Sequence, residues 1–294
     1  MRKEHEILFT PFKIGNVEIK NRIVMPPMGD IPEYDEYGVY TENAVEYYAA
    51  RAKGGVGLII TGCNHVDYTL DDHSGYDHPC PTLKPAHYIR AARELTDRVH
   101  SYGAEIFIDF AIFPTSASHF QKGRNSGDYS TEEMEFLVKQ TVESARIAQQ
   151  AGFDGCEILD CFIHTPSYNR TDKYGGDLRG KLQFQIEIVK RIKEVCGEDF
   201  AVTNRFCLKS FMKGGEHTFA APGEAGFEEF GRDIDGAVEA AKILLELGYP
   251  LKYYAKFREK IKAPIICSGR MENPDISAKA ISDGIIDFVG VAKQ

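Results

Sequence analysis

Residues 131–159, TEEMEFLVKQTVESARIAQQAGFDGCEIL, contain one complete unit of the fold. Apolar side chains recur at helical spacing through most of this stretch, and Ser130 and Glu133 have the spacing of a capping box at its start. Gly152 is placed to end the helix, and the short apolar run Gly155–Leu159 follows at once. Such a run is typical of a strand that is buried on both faces. The unit therefore predicts a helix that leads into a parallel strand.

The same unit recurs along the rest of the chain. Strands are predicted at Arg22–Met25, Val56–Thr61, Glu105–Phe110, Gly155–Leu159, Ala201–Arg205, Pro264–Ser268 and Ile286–Val291. Helices are predicted over residues 42–53, 85–102, 131–150, 181–195, 227–247, 251–261 and 274–283. This alternation predicts an α/β fold, a (β/α)8 or TIM barrel. No linker or charge block interrupts it, so residues 1–294 are predicted to form a single domain.

The pattern breaks at residues 248–251, GYPL, where a helix ends and the expected sixth strand does not follow. A closed barrel tolerates such a loss poorly, because the flanking strands are left with unpaired edges. We therefore expect strand six, and the C-terminal closing segment after strand eight, to be atypical or missing. Two explanations stay open: the protein is a decayed or repurposed barrel, or segments of its active face are absent from this chain.

Composition and charge exclude several classes of function. The chain has 35 Lys and Arg against 44 Asp and Glu, and its net charge of -9 argues against a nucleic-acid or anionic-membrane partner. The seven cysteines form no CxxC pair, so we expect no metal site and mostly free thiols in a reducing cytoplasm. No apolar run approaches the ~18 residues that span a bilayer. We expect a cytoplasmic protein that is neither exported nor membrane-spanning.

Residues 8–29, LFTPFKIGNVEIKNRIVMPPMG, resemble the start of the Old Yellow Enzyme and 2,4-dienoyl-CoA reductase family. The similarity continues through residues 47–61, YYAARAKGGVGLIIT, residues 169–176, NRTDKYGG, and residues 231–234, GRDI. The resemblance implies an FMN-dependent oxidoreductase with NADH or NADPH as its hydride donor. Hydride would pass to flavin N5 and then to the activated C=C bond of a small unsaturated substrate. By analogy with the family, a homo-oligomer is expected as well.

The resemblance also implies which residues hold the isoalloxazine ring. Pro26, Pro27 and Met28 follow the first strand and would lie against the ring, although a rigid strand exit is the alternative. Gly62 ends the second strand, where a small residue lets a flat ring approach the backbone, or it is a simple turn glycine. Arg205 would meet flavin N1 and O2, and its alternative role is a structural salt bridge.

The flavin phosphate is expected after strands seven and eight. Gly269, Arg270 and Gly290 occupy the loops where the standard phosphate site of these barrels forms. Glycine permits the close approach of a phosphate to backbone amides. The alternative is that both glycines are turn residues with positive φ.

Two departures from the family fall on the catalytic face. Residues 156–169, CEILDCFIHTPSYN, lack the paired donors that polarise the substrate in the family, so His164 and Tyr168 are the candidate catalytic residues. A solvated loop residue is the alternative for each. Asp109 stands where the family has a glutamine that touches the flavin pyrimidine. Since an ionised Asp cannot donate a hydrogen bond, we expect it to repel the reduced flavin.

These departures keep two other functions open. One is a degenerate family member that binds flavin, or serves as a scaffold, without ene-reductase activity. The other is a barrel lyase or aldolase that would use Lys209 for a Schiff base.

Overall fold

The computed structural model describes most of the predicted barrel. The described residues are 2–28, 34–67, 69–70, 78–112, 126–159, 170–205, 211–213, 216–219, 227–229, 234–245, 258, 260–261, 263–268 and 271–291. The predicted helix over 251–261 lies largely outside them.

The elements are numbered in chain order. The strands are β1 (Phe12–Ile14), β2 (Val17–Ile19), β3 (Ile23–Met25), β4 (Leu58–His65), β5 (Glu105–Ala111), β6 (Gly155–Leu159), β7 (Ala201–Arg205), β8 (Phe211–Lys213), β9 (Glu216–Phe219), β10 (Phe227–Glu229), β11 (Ile266–Ser268) and β12 (Phe288–Gly290). The helices are α1 (Glu42–Lys53), α2 (Pro85–His100), α3 (Thr131–Gln150), α4 (Leu178–Cys196), α5 (Ile234–Leu245) and α6 (Pro274–Ser282). Short 3-10 helices lie at Lys3–Phe9 and Ser126–Asp128.

Seven parallel strands form the main sheet, in the order β11-β12-β3-β4-β5-β6-β7. Every strand predicted from the sequence is present, with ends that differ by a few residues. The first of these strands along the chain, β3, pairs with the last, β12. First and last strands are neighbours in a (β/α)8 barrel, so this pairing confirms the predicted fold.

The barrel is incomplete between β7 and β11 in the part of the chain that the structure describes. A sixth barrel strand would lie there, and residues 246–257, which would carry it, lie outside the described residues. The same is true of residues 292–294 at the C-terminal end. The expectation that both segments are atypical or missing therefore stays a prediction.

Successive side chains of the barrel strands face alternately the inside of the barrel and the surrounding helices. Leu58, Ile60 and Phe107 point inward and pack with Ile14 and Ile19 of the β1–β2 hairpin. The hairpin, which the sequence analysis did not predict, thereby covers the N-terminal end of the barrel. Outward-facing residues of the same strands pack against the helices in the largest apolar cluster. Inward-facing residues at the other end of the strands are thus left to form the active face.

Side-chain caps fix where two helices begin. The predicted capping box of α3 is present: Ser130 Oγ accepts from the Glu133 amide, and a Glu133 carboxylate oxygen accepts from the Ser130 amide. Helix α4 begins at Leu178, before the predicted residue 181, because the Asp177 carboxylate accepts from the Gly180 amide.

One helix prediction was wrong at its start. The sequence pattern predicted a helix over 227–247, but Phe227–Glu229 forms β10, and α5 begins at Ile234. Strand β10 pairs antiparallel with β8, which also pairs with β9 in a separate three-stranded sheet. Backbone pairing with a distant segment overrides the local helical pattern here.

Two observations among the described residues bear on the expectations from composition. The cysteines described there, Cys63, Cys80, Cys156, Cys196 and Cys267, are all free thiols. None of the described helices combines the length and the apolar character needed to cross a membrane.

Candidate active site

Three charged side chains meet inside the barrel at the C-terminal ends of β5, β6 and β7. Asp109 and Glu157 are paired across β5 and β6, and both carboxylates are 0% exposed. Arg205 Nε lies 2.9 Å from Glu157 Oε2, and Arg205 Nη2 lies 3.0 Å from Asp109 Oδ2. A second contact of 2.9 Å joins Nη2 to Glu157 Oε2. Arg205 therefore bridges two buried carboxylates, as its predicted alternative role as a salt bridge requires.

The surroundings keep Arg205 charged. Burial alone would lower its pKa, but the Asp109 and Glu157 carboxylates outweigh that effect and raise the pKa of the guanidinium above its usual value. Cys63 at the end of β4 adds a weak hydrogen bond, since its Sγ donates to Asp109 Oδ2 over 3.5 Å. Asp109 Oδ2 thus accepts from both neighbours, which is the behaviour of an ionised carboxylate.

One nitrogen of the Arg205 guanidinium has no acceptor among the described residues. The side chain is 33% exposed, and within that part of the chain Nε and Nη2 contact carboxylates while no acceptor bonds Nη1. Arg205 therefore combines an ion pair with a donor nitrogen that no described residue engages, at the end of the barrel where ligands bind.

Gly62 lies in a bulge of β4, where the pairing with β5 is irregular. The register with β5 shifts between Ile60 and Cys63, so the intervening residues do not pair regularly. Gly62 is buried, and its amide donates to the Tyr48 hydroxyl over 2.8 Å. Its N–H is therefore already used, and the close approach of a flat ring to this glycine stays a prediction.

An amide side chain holds the same bulge from the helix side. Asn64 Nδ2 donates to the Gly62 carbonyl over 3.0 Å. The hydroxyls of Tyr40 and Tyr88 both donate to Asn64 Oδ1 over 2.9 Å. All three of these polar side chains are fully or almost fully buried, so the network fixes the end of β4 rigidly.

The residues after β3 and at β12 occupy the same end of the barrel. Pro26 is buried, and Pro27 and Met28 are partly buried, with Met28 packed against the main apolar cluster. At Gly290, a Cβ atom would lie 2.3 Å from Ser268 Oγ, so the glycine permits β11 and β12 to approach closely. Gly290 is part of a strand and its φ is not positive, so its alternative assignment as a turn residue was wrong.

Several residues singled out in the sequence lie outside the described residues. These are His164 and Tyr168, the candidate catalytic residues; Gly269 and Arg270, the candidate phosphate residues; and Lys209, the candidate Schiff-base residue. Their roles stay predictions.

The structure adds a partner for Asp109, because its carboxylate is bound to the Arg205 cation. The expected repulsion of a reduced flavin by Asp109 stays a prediction. The sequence analysis missed Glu157, although a carboxylate within an apolar strand signals a buried counter-charge. It also missed His65 and His78, whose ring centroids lie 5.0 Å apart with the rings tilted by 44° near the end of β4, because the strand was predicted to stop at Thr61.

A second polar cluster lies at the opposite end of the barrel. His100 Nε2 lies 2.8 Å from Asp154 Oδ2, which also accepts from the Ile106 amide. Burial and then the Asp154 charge raise the pKa of Glu105 to about 7, and the Asp154 hydrogen bond raises the pKa of His100. Ligand-type atoms of His100, Glu105 and Asp154 lie within 4.8 Å of one another, so this set has the chemistry to hold a metal ion.

Comparison with curated proteins relates the chain to flavin oxidoreductases. It is 36% identical over 344 aligned residues to a cinnamate reductase from Clostridium sporogenes, which covers 100% of this chain and 51% of the relative. It is 31% identical over 320 residues to an NADH oxidase from Thermoanaerobacter brockii, covering 97% and 48%. The chain thus spans about half the length of these relatives. The first alignment is longer than the 294 residues of the chain, so the relative contains internal segments that this chain lacks.

Solved structures agree on the fold. Morphinone reductase superposes with a TM-score of 0.76 at 21% identity, over 97% of this chain and 85% of its own. Histamine dehydrogenase from Rhizobium sp. 4-9 gives the same TM-score and identity, over 99% and 46%. A sequence model described as the NADH:flavin oxidoreductase / NADH oxidase family matches residues 7–294. The chain belongs to the NADH:flavin oxidoreductase / NADH oxidase family, as its resemblance to Old Yellow Enzyme predicted.

Proposed function

We propose that the chain is the FMN-binding barrel of an NAD(P)H-dependent oxidoreductase that reduces the activated C=C bond of a small unsaturated substrate. The observation that carries the proposal is Arg205, a charged side chain at the C-terminal end of the strands whose Nη1 group has no acceptor among the described residues. Membership of a flavin oxidoreductase family supports the same assignment.

The chemistry of the described residues fits FMN. The Nη1 donors of Arg205, which no described residue engages, suit the carbonyl and ring-nitrogen acceptors of a flavin pyrimidine. Buried Gly62 has no side chain to obstruct a flat ring, and Pro26, Pro27 and Met28 offer a stiff, largely apolar wall. When bound, FMN would supply the hydride chemistry that protein side chains lack. We propose that Gly269, Arg270 and Gly290 lie near its phosphate.

The chain itself contributes positioning and charge. Glu157 and Asp109 hold the Arg205 guanidinium in place and keep it protonated, so its Nη1 group is held in one orientation. Tyr48 and Asn64 fix the Gly62 backbone, which would border the flavin. Both arrangements are made by the chain's own side chains, and preorganised donors are the usual source of electrostatic catalysis.

The substrate class follows from the similarity to a cinnamate reductase. We propose an alkene conjugated to a carboxylate and carrying an aromatic group. Reduction of such a bond also needs a proton donor, and His164 or Tyr168 is proposed for that role. Either NADH or NADPH would serve as the hydride donor.

The test is turnover under anaerobic conditions with protein loaded with FMN. We expect NADH or NADPH oxidation that depends on added cinnamate and yields the saturated acid. The Arg205→Met variant should lose most FMN affinity, whereas Arg179→Met on the surface of α4 is the control and should retain it. Absence of cinnamate-dependent turnover in FMN-loaded protein would reject the substrate class.

A flavin-binding protein without ene-reductase activity is the second candidate. The sharing of the Arg205 charge with two carboxylates favours it, because a neutralised cation stabilises a reduced flavin less well. Reduction of bound FMN by NADPH, without reoxidation by any unsaturated acid, aldehyde or ketone, would identify this candidate.

We also propose that residues 1–294 form a single barrel domain and that the protein associates with itself. Limited proteolysis and light scattering test these two points. A stable internal fragment would contradict the first, and a monomeric mass at high concentration would contradict the second.

A further inference from the structure

Asp109 and Glu157 contact Arg205 in different ways. Glu157 Oε2 accepts from Nε and also lies 2.9 Å from Nη2, so it holds two nitrogens of the guanidinium. Asp109 contacts Nη2 alone, over 3.0 Å. Glu157 is therefore sufficient to orient the guanidinium, and the Asp109 contact contributes mainly negative charge.

We propose that Asp109 lowers the reduction potential of bound FMN by sharing the positive charge of Arg205. The proposal rests on the proposed binding of FMN at this end of the barrel, and it assigns Asp109 a role in tuning the flavin through Arg205. It gives the repulsion expected from the sequence a structural basis, in which one cation lies between two carboxylates.

The direction of the effect follows from electrostatics. Reduction adds electron density to the flavin pyrimidine, so nearby positive charge favours the reduced form and nearby negative charge favours the oxidised form. The Asp109 carboxylate is 0% exposed, so water screens its charge weakly. It also lies at contact distance from the Arg205 cation, which reduces the positive potential at this end of the barrel.

A lower potential has a chemical consequence for the substrate. The flavin becomes a stronger hydride donor, which suits an acceptor that is hard to reduce. An alkene conjugated to a carboxylate is such an acceptor, because the anionic group withdraws electrons less strongly than an aldehyde or ketone does. By lowering the flavin potential, the Asp109 charge would therefore favour reduction of the substrate class proposed above.

The test measures, for each of three variants, the affinity of the protein for oxidised FMN and its affinity for reduced FMN. The Asp109→Asn variant loses the charge and keeps the shape of the side chain. Its preference for reduced over oxidised FMN should therefore rise by about tenfold, which raises the reduction potential of a two-electron couple by ~30 mV. Asp109→Glu retains the charge and should stay close to the unsubstituted protein. Glu239→Gln removes one exposed carboxylate on α5 and controls for net charge.

The outcomes separate the inference from the function on which it rests. If Asp109→Asn binds FMN with an unchanged potential, the tuning role is wrong while the proposed function stands. If Asp109→Glu shifts as far as Asp109→Asn, side-chain shape rather than charge is responsible and the inference fails. If the unsubstituted protein binds no FMN, both the proposed function and the inference are overturned.

Discussion

The Tyr48 hydroxyl accepts a hydrogen bond from the Gly62 amide over 2.8 Å, so a residue of α1 fixes the backbone at the end of β4. Both groups are buried. The bond occupies the N–H that a ligand would otherwise meet, and it holds the bulge that places Cys63 beside Asp109. A helix on the outside of the barrel thereby shapes the floor of the proposed flavin site.

Removing this hydroxyl should weaken both the fold and the site. In Tyr48→Phe the Gly62 amide loses its buried acceptor, which costs about 1–3 kcal/mol of unfolding free energy. FMN affinity should fall as well, because the bulge is less well fixed. Urea denaturation and FMN titration measure the two effects. Tyr102→Phe, an exposed tyrosine in the turn after α2, is the control and should be neutral.

Removing the shared cation should destabilise the protein in a pH-dependent way. Arg205→Leu leaves the Asp109 and Glu157 carboxylates buried without this counter-charge, at a cost of about 3–5 kcal/mol. Without Arg205, these buried carboxylates bind protons more readily than those of an unfolded chain. The loss of unfolding free energy in Arg205→Leu should therefore become smaller as the pH falls. Denaturation measured at a series of pH values from neutral to acidic tests this. A loss that is independent of pH would show that packing, not charge, is responsible.

Glu105 should make the protein less stable as the pH rises. Its pKa is raised from 4.5 to about 7, so between these values the folded state binds more protons than the unfolded state, and stability falls with increasing pH. Glu105→Gln mimics the protonated form and should raise the melting temperature above pH 7 but change it little below pH 4.5. The raised pKa of His100 acts in the same direction, since its contribution is lost as the pH rises through that value. If Glu105→Gln changed the melting temperature equally above pH 7 and below pH 4.5, the raised pKa of Glu105 would be contradicted.

A buried amide on α4 should be replaceable with a gain in stability. Neither Gln185 Nε2 nor Gln185 Oε1 has a hydrogen-bond partner in the described part of the chain, although the residue is buried. Gln185→Leu removes this desolvation penalty and should raise the unfolding free energy by about 1 kcal/mol. Gln183→Leu is the matched control. Its amide donates to Glu187, so its replacement should give no such gain.

The barrel strands could be predicted from the sequence because each is a short apolar run buried on both faces. Gly155–Leu159 and Ala201–Arg205 have the predicted bounds in the structure. These strands can be recognised from their local composition, which is read directly from the sequence. The pairing of Phe227–Glu229 with Phe211–Lys213 depends on a long-range contact that no local pattern contains. That is why a helix was predicted there.

The candidate site was predictable only in part, for a related reason. Arg205 was found because a cation at the end of an apolar strand needs a partner, but the sequence did not show which partner. The register of β5, β6 and β7 decides that Asp109 and Glu157 meet it, and register is set by packing across the sheet. The partner of Asp109 could therefore be identified only once the three strands were placed side by side.

The absorbance spectrum of the protein loaded with FMN, recorded before and after anaerobic addition of NADPH or NADH, tests the central claim most directly. The account predicts flavin bands that are shifted from those of free FMN and that bleach on addition of the nicotinamide. Protein that stays colourless after incubation with FMN, or bound flavin that neither nicotinamide reduces, would contradict it.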